Sequence, residues 1–194
     1  TGSDELQTPV FLDDSLADDD YASARASVNN SHYTPDFVIE AMWQAVQGFG
    51  FAGGRVLEPG SGSGTFIGLA PDTAEATGIE LDPVTAAISR ALYPHTDIRT
   101  ESFADTRFPE GFFDVAVGNV PFGKLVLHDR VHNAARHGIH NHFIIKSLRL
   151  LRPGGLTSVL ASHWTMDAKN PGPRRDMNAL ADLVGAAHPQ PVDG

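Results

Sequence analysis

The stretch Arg55-Val56-Leu57-Glu58-Pro59-Gly60-Ser61-Gly62-Ser63-Gly64 decides the fold. Its first five residues are typical of a short buried strand, and three glycines at alternate positions follow directly. Glycine permits a tight turn and lets a ligand come close to the backbone. Residues 66–70 then predict a short helix. A strand, a glycine-rich turn and a helix in this order indicate the first unit of an α/β sheet, with a ligand site at the turn.

Strands and helices alternate along the rest of the chain. We expect a helix from residue 34, since apolar side chains recur at helical spacing as far as Val46. Further strands are predicted at 75–81, 96–100, 113–118 and 156–162, and further helices at 83–93, 140–151 and 174–183; another strand could begin at 184–187. The expected caps are Asp82-Pro83 before one helix and Pro153-Gly154-Gly155 as the break after another.

This alternation predicts a Rossmann-like α/β fold, with a mostly parallel sheet and helices on both faces. The pattern stops after about five strands, without the antiparallel hairpin that usually completes such a sheet. We therefore expect the fold to be truncated at its C-terminal strands. The opening Thr1-Gly2-Ser3 also suggests a cut inside a longer protein.

Composition separates two segments. Residues 1–31 are acidic and weakly patterned, which predicts a poorly ordered lead-in, and residues 32–194 are expected to form the catalytic domain. The chain has no cysteine, no long apolar run and no signal-peptide pattern, so we expect a cytoplasmic protein without a membrane span.

The net charge of −10 is unusual for a protein that binds nucleic acid. Seven acidic residues precede residue 21 with no Lys or Arg among them, and the remainder carries 17 acids against 14 bases. Even the remainder is not basic. If DNA is the substrate, much of the phosphate contact should come from elsewhere.

Two acidic side chains bear on the ligand of the glycine turn. Glu80 follows Gly60 by 20 residues, where an acid can reach ribose hydroxyls in this class of fold. Glu58 precedes the turn and would repel a pyrophosphate, whereas it would attract an ammonium group. Glu58 therefore favours S-adenosylmethionine, which has an ammonium and a sulfonium and no phosphate, over a dinucleotide. A capping or ion-pair role for Glu58 is the alternative.

The loop after the third strand offers a site for the cofactor's adenine. Asp105 could accept a hydrogen bond from the exocyclic amine, and Phe103 could pack against the ring or belong to the core. The other cofactor-binding residues that we predict around the turn and this loop complete the following set: Glu58, Pro59, Gly60, Ser61, Gly62, Gly64, Thr65, Phe66, Glu80, Leu81, Phe103 and Asp105.

The tetrad Asn119-Val120-Pro121-Phe122 follows the fourth strand and resembles the Asn-Pro-Pro-Tyr/Phe motif of class I amino-methyltransferases. The nitrogen N6 of adenine is a poor nucleophile, because its lone pair is delocalised into the ring. The side-chain carbonyl of Asn119 and the backbone carbonyl of Val120 could accept both N6 hydrogens and favour a nucleophilic nitrogen. Phe122 offers a face on which a flipped-out base can stack. Val120 departs from the motif, which has proline there.

The resemblance extends over roughly residues 32–187. His32-Tyr33-Thr34-Pro35 looks like the amino-terminal cofactor motif of adenine methyltransferases, in which Thr meets the methionine end. The resemblance therefore implies that Tyr33, Thr34 and Asn119 also bind the cofactor. Residues 113–123 are similar to a stretch of very large phage and plasmid proteins that fuse an adenine methylase to a superfamily 2 helicase, and Val is ordinary at this position in that subfamily. Further matches are Ile139-His140-Asn141-His142-Phe143, Leu151-Arg152-Pro153-Gly154-Gly155 and Ala181-Asp182-Leu183-Val184-Gly185-Ala186.

The resemblance implies an S-adenosylmethionine-dependent, adenine-specific DNA methyltransferase in restriction-modification or anti-restriction. It also implies a helicase-like or target-recognition domain, in the same chain or in a partner. The alternatives are N-methylation of a protein glutamine or an RNA adenine, or an inactive cofactor-binding module of a helicase-like protein.

Histidines crowd the region 128–142, but no cysteine or HExxH spacing supports a metal site. We expect this region to be a polar loop near the target base, with Arg130 and Arg136 able to reach phosphates, or simply a solvated loop. Ser162-His163-Trp164 follow the fifth strand at the edge where substrates bind in such folds, and Trp164 or His163 could line the target pocket. No acid in the pattern supports a Ser-His-Asp triad with Ser162.

Overall fold

A computed structural model describes residues 34–123 and 125–187. In these residues a five-stranded parallel sheet has the order β3-β2-β1-β4-β5. The strands are β1 (Gly54–Pro59), β2 (Ala74–Glu80), β3 (Asp97–Thr100), β4 (Phe113–Asn119) and β5 (Leu151–Leu160). The predicted Rossmann-like parallel sheet is confirmed.

Helices connect the strands. They are α1 (Asp36–Gly48), α2 (Thr65–Gly68), α3 (Pro83–Leu92), α4 (Ile139–Leu150), α5 (Trp164–Asp167) and α6 (Gly172–Asn178). The predicted cap of α3 is present, since the Asp82 carboxylate accepts a hydrogen bond from the Thr85 backbone N–H at 2.8 Å. Within the described residues, no helix has the length and apolar character needed to span a membrane.

Alternate residues of the central strands face two separate cores. On one face, Val56 and Val115 pack in a cluster with Ile39 and Trp43 of α1. On the other face, residues of the same strands pack in a cluster with α4; its buried members are Leu57, Ile79, Phe103, Phe113, Ala116, Val120, Phe143 and Leu150. The sheet is therefore covered by helices on both faces, as the alternation of elements predicts.

The fifth strand differs from the prediction. The helix before it ends at Leu150, and the strand begins directly at Leu151 rather than at 156. Phe113 pairs with Leu151, but Val115 pairs with Leu156, so the intervening residues form a bulge in the ladder. Gly155 fits there because a Cβ would lie 2.9 Å from the Asp114 carbonyl oxygen. The Pro-Gly-Gly sequence thus interrupts strand pairing, whereas we expected it to separate a helix from a strand.

The last predicted elements are shorter or absent. Helix α6 covers 172–178 rather than 174–183, and residues 181–187 have no regular secondary structure. The side chains of Leu183 and Val184 are 66% and 64% exposed. Their apolar character favoured a strand, but both side chains are largely exposed and residues 184–187 form no strand, so the predicted start of a strand there is wrong.

Candidate functional site

The glycine turn and the tetrad lie side by side at the carboxyl edge of the sheet. Strand β1 pairs with β2 on one side and with β4 on the other, so the strand order reverses between β1 and β4. In open α/β sheets the crevice at such a reversal is the usual ligand site. A Cβ on Gly60 would lie 3.7 Å from Cδ of Pro121, and a Cβ on Gly118 would lie 3.3 Å from Cγ of Glu58. Two motifs separated by about sixty residues therefore form one site.

The glycines of the turn are required by its backbone. Gly60, Gly62 and Gly64 have φ values of 71°, 55° and 86°, in the left-handed region that favours glycine. The Ser61 N–H donates to the Ile79 carbonyl at 2.9 Å, which fixes the turn against the end of β2. The structure also separates the roles of two of these glycines. A Cβ on Gly62 would meet nothing within 4 Å, whereas one on Gly64 would lie 2.8 Å from Tyr93 and from Ser89.

Glu80 joins the glycine turn to the end of β2. One carboxylate oxygen accepts the Gly62 N–H and the other accepts the Asp82 N–H, each at 2.8 Å. The Gly62 N–H is therefore directed at a carboxylate of the protein itself. Each oxygen keeps a second lone pair, so the carboxylate can still accept a ribose hydroxyl. The next residue, Leu81, is 70% exposed and adds an apolar surface beside it.

Glu58 lies at the end of β1 and is only 2% exposed. Burial raises the pKa of its carboxyl group well above the ordinary value; a hydrogen bond from the Ile67 backbone opposes this, and the charge of Glu80 adds to it. Oxygen Oε2 has no hydrogen-bond partner among the described residues. The side chain predicted to attract an ammonium group is thus buried and favours its neutral form in this structure.

The tetrad begins where β4 ends. The Asn119 amide nitrogen donates to Oγ1 of Thr34 at 3.2 Å, and Thr34 is itself buried. The Val120 N–H donates to the Leu160 carbonyl at 3.0 Å, so the second residue of the tetrad is held by β5. Phe122 is 41% exposed and presents a ring at the surface of the site. Thr34, which the resemblance assigns to the methionine end of the cofactor, also orients the side chain of Asn119.

The remaining predicted cofactor residues differ in their exposure. Phe66 and Phe103 are each 3% exposed and lie in the two cores, where they have little surface for a ligand. For Phe103 the structure favours the core alternative, since its ring is 4.8 Å from that of Phe143. Asp105 is exposed in the loop after β3, Pro59 and Ser61 are buried at the base of the turn, and Thr65 is half-buried. Tyr33 lies outside the described residues.

The histidine-rich segment is more ordered than a solvated loop. The side chain of His142 is fully buried and lies 3.2 Å from the carboxylate of Asp129. His137 Nε2 lies 2.7 Å from the Asp176 carboxylate on α6. Among the described residues no group of His, Asp and Glu has an arrangement suited to a metal ion. His128, Arg130 and Arg136 are exposed and remain candidates for phosphate contact.

A cleft of about 440 Å³ opens next to the tetrad. Its lining includes Gly123, which follows the tetrad, His140 and Asn141 of α4, and Trp164. Trp164 is 57% exposed and its ring centroid lies 4.4 Å from that of His163. The residues after β5 therefore lie at the substrate edge of the sheet, as their position in the sequence predicts.

Sequence reasoning missed Lys146 and Asp129. Lys146 is on α4 and is fully buried, and its ammonium group lies 3.1 Å from the Asp129 carboxylate. One signal was present in the sequence. Lys146 follows Phe143 by three residues, so it lies on the same apolar face of a helix, where a lysine needs a buried partner.

Comparisons with known proteins agree with this fold, although no family model matches the chain. The chain is 29% identical over 165 residues to the "Defense against restriction protein B" of Escherichia phage P1, covering 81% of this chain and 7% of that protein. It is 26% identical over 191 residues to the type II methyltransferase M.XamI of Xanthomonas campestris pv. amaranthicola, covering 84% of this chain and 35% of that enzyme. The chain thus spans much less than two thirds of either relative.

Solved structures define the class of fold. A type I restriction-modification methyltransferase subunit from Streptococcus thermophilus matches with a TM-score of 0.61 and 16% identity, over 76% of this chain and 38% of that one. A protein from Listeria monocytogenes, assigned to the class I S-adenosylmethionine-dependent methyltransferases, matches with a TM-score of 0.59 and 14% identity, over 83% and 56%. The chain has the Rossmann-like fold of class I methyltransferases.

Proposed function

We propose that this chain binds S-adenosylmethionine and transfers its methyl group to the exocyclic N6 of adenine in DNA, as the catalytic domain of a larger protein or complex. One observation carries the proposal. The tetrad beginning at Asn119 lies against the glycine turn, at the point where the strand order reverses. A methyl donor in the turn and an amine at the tetrad would then be neighbours, which in-line transfer requires.

The residues present fit S-adenosylmethionine better than a dinucleotide. A pyrophosphate site needs backbone N–H groups directed at the phosphates, and here the Gly62 N–H donates to the Glu80 carboxylate. The carboxylate of Glu80 gives the turn a negative character that suits a cation. In addition, Oε2 of Glu58 is buried without a hydrogen-bond partner among the described residues, and an ammonium donor nearby would satisfy it.

Four side chains have roles in this proposal. Glu80 holds the ribose, Asp105 and Leu81 receive the adenine, and Thr34 orients Asn119. When bound, S-adenosylmethionine supplies an electrophilic methyl group on a positive sulfonium, which needs no metal and no strong acid.

The tetrad prepares the nucleophile. Asn119 and the carbonyl of Val120 accept hydrogen bonds from the target amine, which favours a lone pair directed at the methyl group. The backbone of Val120 is held by β5 through the Leu160 carbonyl, so its position does not depend on the ring of a proline. Phe122, whose ring is partly exposed, stacks on the flipped-out base.

The two relatives support DNA as the substrate. One is named for defence against restriction and the other is a type II methyltransferase. The chain covers only 7% and 35% of these relatives, and its net charge is −10. We therefore infer that most contacts with the DNA phosphates come from another domain, helicase-like or target-recognising.

The test is a transfer assay with a labelled methyl donor and three acceptors, DNA, RNA and protein, each supplied in excess. The proposal expects label in DNA, on adenine. Label found only on protein glutamine or on RNA would contradict DNA as the acceptor and would assign the chain to one of the other N-methylation reactions. Cofactor binding by calorimetry without transfer to any acceptor would indicate an inactive cofactor-binding module.

A further inference from the structure

Lys146 is a fully buried cation outside the residues assigned above. The three N–H groups of its ammonium have four acceptors within hydrogen-bond distance: the backbone carbonyls of Phe103 at 2.5 Å, Thr106 at 3.1 Å and Ala104 at 3.3 Å, and the Asp129 carboxylate at 3.1 Å. A buried charge is costly unless it is paired and fully hydrogen-bonded. The four acceptors meet that condition, so the ammonium is an integral part of the packing between α4 and the loop after β3.

The three carbonyls belong to the loop that carries Asp105. This loop is a compact turn, since the N–H groups of Asp105 and Thr106 both donate to the Ser102 carbonyl, at 2.9 and 3.1 Å. The carbonyls on either side of Asp105 point inward to Lys146, while Asp105 itself is exposed. The ammonium thereby fixes the loop in the conformation that presents the Asp105 side chain outward. The loop begins beside the candidate cofactor site, since the Glu101 N–H donates to the Glu80 carbonyl at 3.1 Å.

Asp129 holds the ammonium from the other side. Its second carboxylate oxygen accepts the backbone N–H groups of Val131 and His132, both at 3.0 Å. Although burial alone would raise the pKa of Asp129, the hydrogen bonds from the His132 backbone and from Lys146 hold that pKa well below its usual range. The pKa of Lys146 is lowered by burial, and this is opposed by Asp129. The ion pair of Lys146 and Asp129 therefore joins the 103–106 loop to the segment that follows the tetrad.

We propose that Lys146 is a positioning residue for adenine recognition: anchored by Asp129, its ammonium holds the 103–106 loop so that Asp105 meets the exocyclic amine of the cofactor. This inference rests on the proposed function, in which the cofactor is S-adenosylmethionine. It makes a specific claim about selectivity. Lys146 acts on the preference for adenine, and not merely on the stability of the protein.

The experiment compares two ligands by calorimetry. S-adenosylhomocysteine has the exocyclic amine, and S-inosylhomocysteine has a carbonyl in its place, which would face the Asp105 carboxylate unfavourably. We expect the wild type to prefer the first by at least about tenfold, the worth of one hydrogen bond to a charged group. Lys146→Met and Asp105→Ala should each reduce this preference for S-adenosylhomocysteine to between about onefold and threefold. The double variant should reduce it no further than Asp105→Ala does.

Two more variants make the test decisive. Arg149→Met removes a cation from an exposed position of the same helix and should keep the wild-type ratio. Asp129→Asn removes the anchoring charge and should reduce the ratio part of the way, and it serves as the test if Lys146→Met does not fold. If Lys146→Met or Asp129→Asn folds and keeps the wild-type ratio of the two affinities, the inference is overturned and the proposed function is unaffected. A wild type that binds neither ligand overturns the cofactor proposal, and the inference with it.

Discussion

At the scale of single residues, the contact between Thr34 and Asn119 connects the start of the described chain to the tetrad. The amide nitrogen of Asn119 is engaged by Oγ1 of Thr34. The amide nitrogen of Asn119 is thereby used as a donor, so that the amide oxygen is the atom that would accept a hydrogen from a target amine. The motif identifies Asn119 from the sequence, but the residue that orients its side chain is Thr34, which lies 85 positions earlier.

We predict that Thr34→Val lowers kcat about tenfold, because it removes one hydrogen bond while it keeps the shape of the side chain. Thr34→Ser, which keeps the hydroxyl group, should stay within about threefold of the wild type. The measurement is a steady-state methyl-transfer assay with the cofactor varied. A rise in KM for the cofactor with an unchanged kcat would show that Thr34 serves the methionine end alone, as the family resemblance implies.

The buried carboxyl group of Glu58 gives a pH-dependent prediction. Its pKa is raised in the folded protein, so the folded state binds a proton more tightly than the unfolded state. The contribution to the free energy of unfolding is then complete below the unfolded pKa, near 4.5, and is lost as the pH rises through the folded value. Glu58→Gln should therefore raise the free energy of unfolding at neutral pH and remove this part of its pH dependence, as measured by urea denaturation between pH 4 and 8.

The same group predicts proton release on cofactor binding. A cation beside Glu58 lowers its pKa in the complex, so the wild type should release protons and bind S-adenosylmethionine more tightly as the pH rises. Calorimetry in buffers of different ionisation enthalpy measures this release. Equal proton release by the wild type and Glu58→Gln would place the titrating group elsewhere.

At the scale of elements, the glycine turn is fixed by its packing against α3. A Cβ at Gly64 would lie 2.8 Å from Ser89 and Tyr93, on a backbone with φ of 86°. We predict that Gly64→Ala lowers the free energy of unfolding by about 2–4 kcal/mol, from the left-handed backbone and the crowding together. Gly62→Ala, with the same backbone handedness and open space, should cost only about 1 kcal/mol. Equal losses in urea denaturation would contradict the packing argument.

The elements also show which features a sequence pattern can predict. Strands β1 to β4 and helices α1, α3 and α4 follow their predictions closely, because periodicity and capping residues are local signals. Strand β5 does not, since the bulge before Leu156 depends on the close approach of Gly155 to Asp114 of the neighbouring strand. Helix α6 ends at Asn178, earlier than predicted, and the apolar Leu183 and Val184 beyond it are largely exposed, so their hydrophobicity did not indicate a buried element.

At the scale of the whole molecule, the site is formed by the order of the strands. The two motifs could be assigned to one site from the sequence, because the carboxyl ends of parallel strands meet at one edge. Phe66 and Phe103 are predicted at the cofactor site, with the core as the alternative for Phe103. Both are buried in the two cores, which favours that alternative for Phe103. The pair of Lys146 and Asp129 could not be predicted as a pair, since their contact depends on how α4 docks on the sheet.

The charge of the molecule sets the conditions for the decisive test. The full sequence has a net charge of −10, so this chain alone should bind DNA weakly at physiological salt. A test of catalysis should therefore use the longest available protein that contains the chain, with DNA in excess. Asn119→Ala is the matched control, because it removes the acceptor for the target amine and leaves the glycine turn unchanged.

The most direct measurement is the nucleoside mass spectrum of DNA from cells that produce this protein or its Asn119→Ala variant. The wild type should yield N6-methyladenine. The variant should yield at least about a hundredfold less, the effect of losing one preorganised hydrogen-bonding group, while it still binds the cofactor in calorimetry. DNA without N6-methyladenine in cells with abundant, folded wild-type protein would contradict adenine N6 methylation as the function of this chain.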